Sequence, residues 1–260
     1  MGTSGSSLPG CRAGPRGPRY IAAVRRPVVA IHQPNYLPWL GWIAKAAQAD
    51  VLVLLDDVQF EKGGPTNRVD VKTASGRTRL TVPVRTSGPQ IPRIDALAIA
   101  PDRRWAARHA ATLVQSYGHC PGWTRHGPPV VTAITAGETR LAALNERLIA
   151  LLLAAFGVGA RVVRASDLGP RTGRASAGLA EICGRLGAAT YLSGTGGRKY
   201  NDPAAFAAAG IDLAYSVFAH PAYAQPHGAF EQGLSSADLL FSAPDEAAAL
   251  LRAGIGAPVS

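Results

Sequence analysis

The chain has 260 residues, of which 47% are hydrophobic, and its formal net charge is +10. This length and apolar fraction suit a globular protein with one large core or two small ones. No apolar run reaches the roughly 18–20 residues that a membrane-spanning helix needs, so we expect no membrane span.

The positive charge is concentrated near the amino terminus. Arg12, Arg16, Arg19, Arg25 and Arg26 lie within residues 1–26, which contain no acidic residue. Outside this arm, no run of Lys and Arg alternates with aromatic residues, so the sequence does not favour a nucleic-acid partner. A mildly basic crevice suits an anionic small molecule instead.

The amino-terminal segment and the cysteines indicate a cytoplasmic protein. Residues 1–27 are rich in Gly, Pro, Ser and Arg, which predicts a disordered basic extension, and they lack the apolar core of a signal peptide. Cys11, Cys120 and Cys183 are far apart and include no CxxC. This spacing argues against a disulfide framework or a zinc site and fits a reducing compartment.

The segment from 28 to 60 predicts one βαβ unit. Residues 28–31 form an apolar, β-branched run that favours a buried strand, and residues 51–55 form a second. A polar and aromatic loop at 32–39 separates the first strand from a helix at 40–49. Two such strands joined by a helix are typical of a parallel sheet.

Polar residues follow both strands where ligands of open parallel sheets bind. His32 follows the first strand, and Asp56 and Asp57 follow the second. We expect His32 to meet a carboxylate that raises its pKa or selects its tautomer. The acids would alternatively hold Mg²⁺. The other interpretation is that Asp56 caps a turn and His32 bonds to the backbone.

The rest of the chain continues this α/β pattern. A β-hairpin is predicted at 68–72 and 79–84, and a Gly/Pro loop at 121–129. Helical spacing predicts helices at 102–117, 139–156, 175–186, 203–209 and 246–252, and apolar runs predict strands at 161–165, 190–192 and 211–218. The predicted fold is α/β, with a doubly wound, mainly parallel, Rossmann-like sheet and a β-hairpin insertion. It spans residues 28–250, and residues 251–260 are predicted to form a frayed tail.

A glycine-rich loop follows the strand at 190–192. Its glycines allow backbone N–H groups to approach an anion, Ser193 and Thr195 add hydroxyls, and Arg198 and Lys199 add charge. It matches neither a Walker loop nor G-x-G-x-x-G. The alternative is a plain strand-to-helix turn.

Two further positions have side chains suited to catalysis or binding. His220 follows a predicted strand and has the chemistry of a general base, unless Pro221 simply holds it in a rigid turn. Asn67 and Arg68 begin the hairpin, and an arginine can clamp a carboxylate or phosphate with two hydrogen bonds. The alternative is a solvated hairpin end.

Several stretches together resemble the WbqC-like family of bacterial proteins. They are HQPNYLPWLGWIAKAAQADVLVLLDDVQFEK at 32–62, the hairpin with LTVPV at 80–84, YLSGTGGRKY at 191–200 and HPAYAQ at 220–225, where Ala224 replaces the family's proline. Members are often associated with gene sets for O-antigen, other surface polysaccharides or specialised metabolites. The resemblance implies a transferase that attaches an acyl or aminoacyl group to an amino sugar or another amine.

The motifs and the strand ends together select the candidate site residues. The catalytic candidates are His32, Asp56, Asp57 and His220. The substrate-binding candidates are Gln33, Asn35, Tyr36, Gln59, Asn67, Arg68, Ser193, Gly194, Thr195, Gly196, Gly197, Arg198 and Tyr223. The partner implied is an anionic small molecule, such as a nucleotide, a sugar nucleotide or an activated acyl donor, and Mg²⁺ or a nucleotide is the cofactor considered.

Two other functions remain open from the sequence. One is a non-catalytic protein that binds a sugar nucleotide or acts as a scaffold. The other follows from a remote similarity of the first βαβ unit to nucleotidyltransferases and pantothenate-synthetase-like enzymes. Tyr36 and Trp39 stand where the histidines of their H-x-G-H motif would be, and Pro38 stands at the glycine.

Overall fold

The computed structural model describes residues 1–2, 25–86 and 90–260. In these residues the strands are β1 (Val28–His32), β2 (Val51–Leu54), β3 (Arg68–Thr73), β4 (Gly76–Thr81), β5 (Arg161–Arg164), β6 (Thr190–Gly194), β7 (Asp212–Phe218) and β8 (Ile255–Val259). The α-helices are α1 (Leu40–Ala47), α2 (Arg104–Tyr117), α3 (Trp123–Thr135), α4 (Leu141–Ala155), α5 (Ala175–Arg185), α6 (Pro203–Ala208), α7 (Ser236–Ser242) and α8 (Ala247–Gly254).

The main sheet confirms the predicted α/β class. Its strand order is β5-β2-β1-β6-β7-β8, and all neighbouring pairs are parallel except β7 with β8. From β1 the chain adds β2 and β5 on one side, and then crosses back to add β6, β7 and β8 on the other. The strand order therefore reverses between β1 and β6, and in open α/β sheets a ligand crevice forms at such a switch point.

The central strands are buried on both faces, as expected for a doubly wound sheet. Val29 and Ile31 of β1 pack in the core beside α5 and α6, whereas Ala30 packs in the core of the opposite face. In β2, Val51 and Val53 face the side of the sheet that α5 and α6 cover, and Leu52 and Leu54 face the opposite side. This alternation follows from the two-residue repeat of a strand.

The β-hairpin insertion forms as predicted, outside the main sheet. β3 and β4 pair antiparallel from Arg68 with Thr81 to Thr73 with Gly76. Gly76 has a φ of 90°, which a glycine adopts without strain and which this tight turn requires.

The prediction of a loop at 121–129 is wrong. Helix α3 passes through these residues and contains Pro128 and Pro129. Proline inside a helix costs on the order of 3 kcal/mol. Val130, Ala133 and Ile134 are nonetheless buried in the core, and we infer that their burial, on the order of 1–3 kcal/mol for each large side chain, offsets that cost.

The predictions for the two chain ends have different outcomes. The predicted frayed tail at 251–260 is wrong, because α8 extends to Gly254 and β8 pairs antiparallel with β7. Of the predicted extension 1–27, residues 3–24 lie outside the described part of the chain. Arg25 forms an ion pair with Asp50, and Arg26 donates to the carbonyl of Ala188.

In the part of the chain that the structure describes, we find no helix with both the length and the apolar character that crossing a membrane requires.

Candidate functional site

A crevice of about 820 Å³ opens at the switch point of the sheet. Four elements contribute to its walls: the end of β1, the end of β6 with the glycine-rich loop, helix α1 and the end of β7. The lining residues with polar or aromatic groups are His32, Gln33, Trp39, Trp42, Lys45, Glu61, Tyr191, Ser193, Thr195, Tyr200, Ser216 and Phe218.

Lys45 is the buried cation of this crevice. It lies on α1, whose residues Trp42, Ile43 and Ala46 are buried against the sheet, and its own exposed fraction is 5%. Its Nζ donates to the carbonyl of Ile31 at 2.9 Å. No acidic side chain of the described residues forms an ion pair with it. Burial therefore lowers the pKa of Lys45 to about 7, so a large fraction of the amine is uncharged at neutral pH.

His32 is the second titratable group of the crevice. Burial, and the positive charge of Lys45, hold the pKa of His32 well below its ordinary value of 6.5, although a backbone hydrogen bond opposes this. Nδ1 lies 3.1 Å from the carbonyl of Gln33. Because a carbonyl only accepts, the ring carries its proton on Nδ1 and leaves the lone pair of Nε2 available as a base.

Two aromatic side chains of the crevice wall flank His32. The rings of Trp39 and Trp42 both lie 5.6 Å from the ring of His32. Trp42 is also fixed by its Nε1, which donates to the carbonyl of Gln33 at 3.4 Å. The arrangement suits proton transfer, because the pKa values of His32 and Lys45 are both lowered and neither side chain has an acidic partner among the described residues.

The glycine-rich loop lines the crevice opposite α1. Residues Thr195–Lys199 form a short 3-10 helix directly after β6. Ser193 is buried, and its Oγ accepts from Nδ2 of Asn201 at 2.9 Å. A side chain at Gly197 would place its Cβ only 2.3 Å from this Oγ, whereas a Cβ at Gly194 or Gly196 would meet no atom within 4 Å. A Cβ at 197 would therefore displace the side chains of Ser193 and Asn201, while the other two glycines leave open space beside the backbone.

We expect Gly197→Ala to lower the free energy of unfolding by roughly 1–3 kcal/mol, because the added methyl overpacks Ser193 and Asn201. Gly196→Ala is the matched control and should stay within about 0.5 kcal/mol of the wild type. Urea denaturation followed by circular dichroism measures both values. Equal stabilities of the two variants would contradict the packing that we describe at Gly197.

Asp56 and Asp57 lie at the predicted strand end, but both carboxylates form contacts with residues other than His32. Asp56 accepts from the backbone N–H of Ser166 at 2.9 Å and from its hydroxyl at 2.7 Å, and Asp57 is paired with Arg171 at 2.8 Å. Neither acid forms an ion pair with His32 in the described residues, so the expected histidine–carboxylate contact, with its raised His32 pKa, is absent there. A cation bound by these acids would have to displace the present partners, and no cluster of three or more metal-ligating side chains occurs in the described ranges.

Three of the predicted site residues in the carboxyl-terminal part of the chain lie outside the crevice. The guanidinium of Arg198 lies over the ring of Tyr215 at 4.6 Å and donates to Ser260, so it does not line the crevice. His220 packs among Phe218, Tyr223 and Phe230, with Nδ1 at 2.9 Å from the carbonyl of Pro221. The hydroxyl of Tyr223 donates to the buried Asp238 at 2.8 Å.

The remaining predicted residues divide between the hairpin and a second cavity. Asn67 donates to the carbonyl of Val82 and so holds the hairpin, and Gln59 is exposed. A cavity of about 210 Å³ is lined by Asn35, Tyr36 and Arg68 together with the hairpin and the loop after β1. The structure thus gathers His32, Gln33, Ser193, Gly194, Thr195, Gly196 and Gly197 in the crevice, and it places the others outside it.

Lys45 is a residue that the motif-based reasoning missed. The sequence held a signal, because Lys45 is the charged residue of an otherwise apolar helix, LGWIAKAA. A lysine on the buried face of a helix is a candidate for function because burying its charge is costly. Trp39 and Trp42 were likewise not among the candidate site residues, although they form the aromatic wall.

Comparison with known proteins identifies the family of this chain. A model of the WbqC-like protein family matches residues 33–249. The chain belongs to the WbqC-like protein family. It is also 30% identical, over 227 residues, to "Uncharacterized protein Rv1507c" of Mycobacterium tuberculosis (strain ATCC 25618 / H37Rv), a match that covers 86% of this chain and 97% of that protein. The family match includes α1 with Lys45 and the glycine-rich loop, and thus most of the crevice.

Proposed function

We propose that this member of the WbqC-like family is a group-transfer enzyme. Its reaction would attach an acyl or aminoacyl group to the amine of an amino sugar or of another small molecule, within the assembly of a surface polysaccharide or a specialised metabolite. The observation that carries the proposal is the pair of bases in the switch-point crevice, the buried Lys45 and the half-buried His32.

The chemistry needs a base that is neutral at physiological pH. An amine acceptor in water is mostly protonated and must lose that proton before its nitrogen attacks the acyl carbonyl. This first proton leaves to water through Nε2 of His32 or the uncharged fraction of Lys45. When the nitrogen attacks, the new C–N bond forms, and the same base takes a second proton from that nitrogen. The bond from the acyl carbon to the donor breaks, and the base returns the second proton to the leaving group. The products are the amide, the protonated carrier and one proton released to water, and the base is regenerated.

The glycine-rich loop supports this role through its backbone. Gly194 and Gly196 line the crevice, and a Cβ at either position would meet no described atom within 4 Å, so a ligand can approach the backbone N–H groups of this loop closely. Such groups can bind an anionic donor or the oxyanion that develops on the acyl carbonyl. A nucleotide, a sugar nucleotide or an activated acyl donor would meet this requirement.

The two rival functions receive less support from the geometry. A nucleotidyltransferase would need phosphate-activating histidines, but the hydroxyl of Tyr36 is buried against Nδ1 of His109 at 2.9 Å, and Trp39 offers an indole. A non-catalytic sugar-nucleotide-binding protein would use the crevice but has no need of an uncharged lysine.

A ligand screen followed by an assay tests the proposal. Nucleoside triphosphates, sugar nucleotides and acyl-coenzyme A thioesters are added to the purified protein, and a ligand that binds the folded state should raise its melting temperature. Each stabilising donor is then incubated with amino sugars and amines, and mass spectrometry detects a new amide. The exposed Lys62→Met variant is the control for Lys45→Met. Stabilisation by none of the donor classes, or amide formation that survives Lys45→Met unchanged, would overturn the assignment.

A further inference from the structure

The smaller cavity near the hairpin has features of a second binding site. Its wall is formed by the loop after β1, from Asn35 to Trp39, and by the start of β3. Trp39 also lines the switch-point crevice, so the same loop separates the two spaces. At about 210 Å³ the cavity is smaller than the roughly 300–1,000 Å³ of a drug-sized ligand pocket, and it suits a group of amino-acid size.

Arg68 gives this cavity an uncompensated positive charge. In the described residues its guanidinium makes no hydrogen bond or ion pair, although the side chain is half-buried. The nearby acid, Asp70, is already occupied by Arg79 at 2.8 and 3.0 Å and by Arg77 at 3.5 Å. Gly63, with a φ of 88°, faces Arg68, and a Cβ there would lie 3.1 Å from a guanidinium nitrogen. Glycine at this turn therefore leaves space for the guanidinium.

Asn35 supplies an independent observation. Its exposed fraction is 1%, and neither its Nδ2 nor its Oδ1 has a hydrogen-bond partner in the described chain. Buried polar groups are nearly always satisfied, and a group that is not satisfied calls for an explanation. Asn35 lines the cavity, and a polar ligand there would give its carboxamide the missing partner.

We propose that this hairpin cavity binds the carboxylate of a small molecule of amino-acid size. Arg68 holds the carboxylate through two parallel N–H donors, and the carboxamide of Asn35 completes the site. The assignment of this molecule as the second substrate, held across Trp39 from the donor in the crevice, rests on the proposed group transfer. The binding site itself does not.

The test is a titration of the full-length, ¹⁵N-labelled protein with glycine, L-alanine and inorganic phosphate, followed by NMR. Glycine and L-alanine should shift the amide signal of Gly63 and the Nε signal of Arg68 saturably. Arg68→Gln should weaken this binding by more than tenfold, and Arg68→Lys should weaken it as well, since lysine keeps the charge but loses the fork. Arg161→Gln removes an exposed charge on β5, outside both cavities, and should leave the affinity unchanged.

The outcomes separate this inference from the proposed function. No saturable shift with either amino acid, or equal affinity in wild type and both Arg68 variants, would overturn the site. Phosphate binding in preference to both amino acids would overturn the carboxylate assignment. Signals of Gly194 and Gly196 report donor binding in the crevice separately, so the failure of one site is visible while the other still binds. Circular dichroism of each variant establishes that it is folded.

Discussion

Replacing Lys45 with methionine is expected to abolish group transfer and, at the same time, to make the protein more stable. Loss of a base in proton transfer costs on the order of 10²–10⁴ in rate. Methionine has a similar length and needs no hydration, so the variant removes the cost of burying an ammonium group that has no acidic partner in the described residues. We expect the free energy of unfolding at pH 6 to rise by roughly 2–4 kcal/mol, after subtracting the lost hydrogen bond to Ile31.

The pH dependence of this gain has a definite sign. The pKa of Lys45 is about 7 in the folded protein, below the value of roughly 10.4 in an unfolded chain. Between these two values the unfolded state binds more protons, so the stability of the wild type should increase with pH over this window. Below about pH 7 the burial cost is fully present, and the difference between Lys45→Met and the wild type is largest.

Urea denaturation at pH 6, 8 and 9.5 measures this linkage, with Lys62→Met as the control. The gain from Lys45→Met should shrink as the pH rises, whereas the exposed Lys62→Met should change little at any pH. A variant that is less stable than the wild type at pH 6 would show that the folded protein stabilises the ammonium group of Lys45 and would contradict the burial cost. An unchanged reaction rate would remove Lys45 from the mechanism.

Replacing Asp238 with leucine is expected to destabilise the protein by roughly 3–5 kcal/mol, the scale for breaking a buried charged network. Asp238 is 1% exposed and accepts from the hydroxyls of Tyr117 and Tyr223 and from Nε2 of Gln225, each within 2.9 Å. Lys72 is equally buried and donates to Oε1 of Gln225. Leucine at 238 would leave the hydroxyls of Tyr117 and Tyr223 without their acceptor and would remove one of the two acceptors of Gln225 Nε2.

Thermal and urea unfolding measure this effect, with the exposed Asp245→Leu as the matched control. Asp238→Asn keeps one oxygen acceptor and should cost less than Asp238→Leu. A loss below about 1 kcal/mol for Asp238→Leu would mean that water replaces the carboxylate and that the network contributes little.

This network explains why Tyr223 does not lie in the crevice, where it was expected as a substrate-binding residue. The motif HPAYAQ was predicted to belong to a site, and its residue types are those of a site. Its hydroxyl and amide groups instead bind Asp238 and so attach the segment after β7 to α7 and the hairpin. A polar motif can meet a buried acid as readily as a ligand, and only the packing of distant segments decides which.

The sequence by itself determined the local elements and the class of fold. β-branched apolar runs, helical spacing and turn residues depend on neighbours within a few positions, so the strands β1, β2, β5, β6 and β7 and the hairpin were predictable. The ends of β1 and β6 were also identified as places of chemistry, and both line the crevice. Helix α3 was missed because Pro128 and Pro129 oppose a helix locally, while burial against distant helices stabilises it.

Only the tertiary structure decided which side chains share a site. The predicted strand ends placed Asp56 and Asp57 at the same edge of the sheet as His32. In the structure, however, Ser166 binds Asp56 and Arg171 binds Asp57, and both partners lie more than a hundred positions away in the sequence. Lys45 was visible as a lysine on an apolar helix, yet its lowered pKa depends on its burial against β1 and on the lack of an acidic partner in the described residues. Hydration and electrostatic energies depend on distances between groups that are remote in sequence, and local patterns do not contain those distances.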